Sequence, residues 1–128
     1  MPEPLLKLIS FEEVNGEKRW TYELKIIFNY LPVDKLTITN YYQTKPGREM
    51  IANELIWNIM KMKLHGEVLR PTKYQGKRKV YKWDKEYKGK NYRLYFWYKD
   101  NSISHLWVRN FHQIDPPKKV RMDQKNYS

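Results

Sequence analysis

Between Asn91 and His112 the chain reads NYRLYFWYKDNSISHLWVRNFH, which holds an arginine, an amide and an imidazole at spacings that two paired strands can bring together. If Asp100 and Asn101 form a two-residue loop, Lys99 faces Ser102, Trp97 faces Ser104, Tyr95 faces Leu106 and Arg93 faces Val108. Strand alternation then places Arg93, Tyr95 and Trp97 on one face with Leu106, Val108, Asn110 and His112. Arg93, Asn110 and His112 are the candidate catalytic residues. Such a trio suits metal-free cleavage of RNA, because the substrate brings its own nucleophile, the 2′-OH. Arg93 offers forked donors to the oxygens of a phosphorane. His112 is the side-chain type that exchanges protons near neutrality. A register slip of one residue sends the two groups to opposite faces, so the chemistry depends on the pairing. A purely structural reading competes with it: Arg93 pairs with Asp84 or Glu86, and His112 closes the sheet edge.

Charge points toward the same chemistry. The 128 residues carry 25 Lys and Arg against 14 Asp and Glu, a net of +11. Residues 1–34 hold 4 basic and 6 acidic side chains, residues 35–99 hold 16 and 5, and residues 100–128 hold 5 and 3. The excess is therefore central, and it is densest from Arg70 to Lys90. There Tyr74, Tyr81, Trp83 and Tyr87 interleave with the cations, a mixture that suits a phosphate backbone with exposed bases. Lys73, Lys77, Arg78, Lys79, Lys82, Trp83 and Arg109 are the candidate nucleic-acid contacts. The competing reading is a lysine-rich strand edge that guards against aggregation.

Several chemistries are excluded. There is no cysteine, which removes disulfides, thiolate metal sites and thiol catalysis. His65-Gly66-Glu67 has the H-x-E spacing of zinc deaminases but lacks the cysteine pair they need. No phosphate-binding glycine loop or nucleophile elbow occurs, and the carboxylates are scattered. No metal or cofactor is expected. No signal peptide or membrane-spanning run is read, so the expected location is cytoplasmic and RNA is the expected partner.

The elements that must position these groups follow from periodicity. Leu5–Glu13 and Lys18–Asn29 read as strands around Asn15-Gly16, a strong hairpin signal. Lys35–Tyr42 reads as a third strand. Arg48–Leu64 changes to a helical period, with Ile51, Leu55, Ile59 and Met62 in one stripe and Gly66 as the stop. Lys77–Trp83, Asn91–Lys99 and Ser102–Phe111 read as three more strands. The expected fold is α+β, ordered β-β-β-α-β-β-β, with one amphipathic helix on a largely antiparallel sheet.

The last hairpin resembles that of RelE/HigB-like toxins of the RelE superfamily. The matching residues are Asn91-Tyr92-Arg93, Phe96, Asp100 and Asn110-Phe111-His112, and the likeness extends more loosely over residues 35–115. It implies a RelE-like core over 35–115; residues 1–34 are then an extra N-terminal hairpin without a counterpart in that family, and Pro116-Pro117 opens an expected flexible tail over 116–128. It also implies an mRNA endonuclease, free or acting on the ribosome, restrained by an antitoxin protein. Arg93 would contact the scissile phosphate and His112 would act as acid or base. Phe111 stands where a tyrosine is frequent in that family. The alternatives are a non-catalytic nucleic-acid-binding module and an inhibitor that docks on an acidic protein.

Overall fold

A computed structural model of the chain describes residues 6–40, 49–100 and 102–114. The strands form where apolar and polar side chains alternate. β2 (Glu17–Phe28) is the longest, and its Trp20, Tyr22, Leu24, Ile26 and Phe28 are all buried on one face. β1 (Leu8–Val14) joins it through Asn15 (φ 52°) and Gly16 (φ 84°), with Val14 opposite Glu17. Two consecutive positive φ values give a turn whose twist matches that of the strands. β3 (Leu31–Thr39) follows a second two-residue turn at Asn29-Tyr30, so it starts four residues before the strand expected at Lys35. Pro32 is tolerated because β7 begins to pair with β3 only at Lys35, leaving the strand's first residues with one neighbour.

Helix α1 (Glu49–Ile59) continues as a π-helical turn over Met60–Leu64, and Gly66 follows at φ 86°. It buries Ile56, Trp57, Ile59, Met60 and Leu64 against the inner face of the sheet, whereas Met62 points to solvent. The remaining strands are β4 (Lys73–Gln75), β5 (Arg78–Tyr87), β6 (Lys90–Tyr98) and β7 (His105–Ile114).

The helical segment also completes the sheet. Among the described residues β1 pairs with β2 only as far as Tyr22, Lys7 accepts from the Glu23 N–H just beyond it, and no described strand lies beside Lys25 and Ile27 on that side. Trp57 Nε1 donates to the Glu23 carbonyl at 2.8 Å and Lys61 Nζ to the Lys25 carbonyl at 2.9 Å. The Ile27 N–H donates to His65 Nδ1, Gly66 N–H to the Ile27 carbonyl, and the Asn29 N–H to the Glu67 carbonyl. Glu23, Lys25 and Ile27 of β2, and Asn29 in the turn after it, thus each find a partner from the helix or the segment after it, Lys25 and Ile27 at exposed positions. Inside the core, Asn53 donates to the Tyr22 hydroxyl at 3.1 Å, and burial raises that phenol's pKa.

The seven strands form one mixed sheet ordered β1-β2-β3-β7-β6-β5-β4, with β3 and β7 parallel and the other neighbours antiparallel. This corrects the expected fold. The observed order is β-β-β-α-β-β-β-β, the sheet is mixed, and the first hairpin is continuous with it rather than added to a RelE-like core. The proposed boundary at residue 34 falls inside β3. Periodicity shows which residues alternate, not which strands become neighbours, and the parallel contact joins segments seventy positions apart (Lys35 beside His105). β4 gave no signal because all three of its residues are exposed. The tail expected over 116–128 lies outside the described residues.

Candidate nucleic-acid interface

The face of the sheet opposite α1 carries the candidate site. Among the described residues no helix or strand lies over it. Arg93, Tyr95 and Trp97 of β6 project there because Tyr92, Leu94 and Phe96 fill the core. On β7, Leu106 and Val108 are also core residues, which would put Asn110 and His112 inside as well. A bulge at Arg109 prevents this: Phe96 faces Val108, yet Tyr95 faces Asn110 and Arg93 faces His112. One extra residue shifts the alternation and turns Asn110 and His112 outward.

Arg93 and His112 are therefore cross-strand partners, in a register different from the expected one. The β6–β7 connection is longer than two residues; Trp97 faces Trp107 rather than Ser104, and Leu106 faces Tyr98. Leu106 and Val108, expected beside Arg93, are on the helix side. Arg93 is also already engaged. Its Nε and Nη2 donate to the two carboxylate oxygens of Asp84 at 2.7 and 2.8 Å. This bidentate pair holds the Asp84 carboxyl below its usual range, with Lys82 and His112 adding to the effect, and raises the Arg93 pKa further. The Asn110 side-chain oxygen accepts from the Phe111 N–H at 2.9 Å, inside the bulge.

Beside this cluster lies a cleft of about 520 Å³ over the upper part of β4–β7. Lys73, Gln75, Arg78, Tyr95, Trp97, Arg109, Asn110 and His112 line it, with Val80 at its floor. The Arg78 guanidinium lies 4.6 Å from the centre of the Trp97 ring, and Arg19 lies 5.3 Å from the centre of Trp107. The two paired indoles are thus each capped by a guanidinium plane. Glu17 binds Arg19 at 2.8 Å and Arg109 at 3.6 Å, anchoring the far side.

The candidate contacts separate accordingly. Lys73, Arg78 and Arg109 line this cleft, and Lys82 is on the same face opposite Tyr95. Lys77 and Lys79 lie at the end of the sheet. Trp83 is 6% exposed and packs against Phe96 in the core, so its ring is taken up by packing. Trp107, Arg19 and Gln75 were not singled out from the sequence. Trp107 alternates with two core residues, which is a readable signal, but the assumed register hid its pairing with Trp97.

No family model, curated protein or solved structure matches the chain. The likeness to RelE-like toxins accordingly rests on the residues between 91 and 112. Among the described residues there is no group of three His, Cys, Asp or Glu side chains placed to hold a metal, and no helix long and apolar enough to cross a membrane.

Proposed function

We propose that the open face binds single-stranded nucleic acid, with RNA as the expected ligand, and acts as a binding module. The observation that carries this reading is the cleft that joins Lys73, Arg78 and Arg109 to Tyr95 and the arginine-capped Trp97. Cations answer the phosphates. Bases stack on aromatic rings and equally on guanidinium planes; here Tyr95 is half-buried, and the half-buried Arg78 guanidinium covers the buried Trp97 ring. Binding is favoured over cleavage by the state of Arg93, whose charge is matched by Asp84 before any phosphate arrives.

The test is binding of a fluorescent single-stranded RNA across a range of salt. Tyr95→Ala should weaken binding about tenfold, the typical loss of one stacked base. Lys73→Glu should weaken it and flatten the salt dependence, because fewer counterions are released. Affinity that ignores salt and both substitutions would overturn the reading. One observation favours a second reading, RNA cleavage: His112 stands directly across from Arg93 on the exposed face. Strand scission by the purified protein that disappears in His112→Ala would establish it instead.

A further inference from the structure

A second cleft, of about 700 Å³, opens at the end of the sheet where three chain reversals converge. Asn29 comes from the β2–β3 turn and Leu31 from the start of β3, Lys77 from the β4–β5 turn with Arg78 and Lys79 from the start of β5, and Lys99, Asp100, Ser102 and Ile103 from the β6–β7 connection; Tyr81 and Tyr98 lie between them. Four cations face one carboxylate, Asp100, and that carboxylate is engaged by Arg78 at 3.2 Å. The floor is braced. Asn29, at φ 51°, donates through its amide to the Tyr81 hydroxyl and accepts from the Leu69 N–H at 2.7 Å. Tyr30, next in the chain, is 81% exposed at φ 68°, a backbone conformation that aromatic residues rarely hold.

We infer that this end cleft is a nucleoside-phosphate site, in which Lys77, Lys79 and Lys99 hold the phosphate while the base rests against Tyr98 and the apolar rim of Leu31 and Ile103. Burial pushes the Tyr98 hydroxyl up to about 12, so it stays protonated and can donate to a phosphate or a base edge. Arg78 lines both clefts, which makes them neighbours along one path. The occupant is therefore the next nucleotide of the strand bound on the open face, and this assignment of the occupant rests on the reading of that face given above. A free nucleotide offers the same chemistry, so the experiment separates the two sources.

Lys99 lines only the end cleft, and its side chain is exposed, so Lys99→Glu reverses a charge there without touching the core. The experiment measures binding of a 4-nucleotide and a 20-nucleotide single-stranded RNA, and of a free nucleoside monophosphate, to the full chain, to Lys99→Glu and to Tyr95→Ala. Lys99→Glu should weaken the 20-mer about tenfold and leave the 4-mer, which fits the open face, within twofold; the salt slope for the 20-mer should fall by about 0.7, the value for one phosphate contact on a single strand. If Lys99→Glu binds the 20-mer like the wild type, the end cleft falls and the open-face reading survives. If Tyr95→Ala is without effect while Lys99→Glu loses the 20-mer or the free nucleotide, the open-face reading falls and the end cleft stands as a nucleotide site. No binding of any of the three by the wild type overturns both.

Discussion

Arg78→Ala should lower affinity for single-stranded RNA about a hundredfold, or about 2.7 kcal/mol, with a far smaller change in folding stability. Arg78 stacks on Trp97, pairs with Asp100 and lines both clefts, so its loss removes a cation and a stacking plane from the middle of the path. The stability side is small for identifiable reasons. A cation–π contact at a partly exposed site is worth about 0.5–1 kcal/mol, and an exposed ion pair about 0.2–1 kcal/mol. Against these, the Nε–H of Arg78 is buried with no acceptor among the described residues, and the substitution removes that donor. Arg78→Lys separates the contributions: it keeps the charge and loses the plane, and should recover part of the affinity. Thermal melts of both variants run beside the binding assay check that the fold is intact. Equal affinity of Arg78→Ala and wild type would remove the shared path between the clefts.

The parts of this fold that were legible are those set by neighbours in sequence. Asn15-Gly16 marked the first hairpin because both residues tolerate positive φ, and the change of period at Arg48 marked the helix described from Glu49 onward, with Gly66 just past its end. Long-range pairing was not legible. Between β3 and β7 the chain runs through α1 and then β4, β5 and β6, and no residue in either strand announces a parallel partner. The candidate site shows the same limit at the scale of one residue. The expected two-residue loop at Asp100-Asn101 gave the wrong cross-strand partners, yet Arg93 and His112 still share a face, because a longer connection and the bulge at Arg109 together change the register by an even number of positions. Shared face was thus reached from the sequence without the device that produces it. What the residue types did give was the pairing of Arg93 with Asp84, named among the structural alternatives and present as a two-bond contact. That contact weighs against phosphate chemistry at Arg93 and leaves the open face better suited to holding a strand than to cutting one.

Acid should destabilise the protein through His105 on β7. His105 Nε2 lies 2.7 Å from the Thr37 hydroxyl, which lies 2.7 Å from that of Thr21, a relay across three strands with Thr37 only 2% exposed. Burial holds the imidazole in its neutral form, pulling its pKa down to about 4; Lys99 and Lys35 act in the same direction and Asp34 opposes them. The unfolded chain takes up this proton near the ordinary value of about 6.5. Between those two values the unfolded state binds more protons than the folded one, so stability is complete above pH 6.5 and is lost as pH falls toward 4. The full shift would correspond to about 3 kcal/mol, and partial solvent access to the ring reduces this to about 2 kcal/mol. Asp84 acts in a different window. Its carboxyl is stabilised in the charged form by Arg93, so its contribution disappears only below the ordinary carboxylate range. His105→Gln keeps a hydrogen-bonding group beside Thr37 and cannot titrate. Melting temperatures measured from pH 7 to pH 4 should fall steeply for the wild type and much less for His105→Gln, while His65, which accepts from Ile27 N–H at the other edge, is present in both. Parallel curves for the two proteins would show that the Thr21–Thr37–His105 relay does not set the acid limit of the fold.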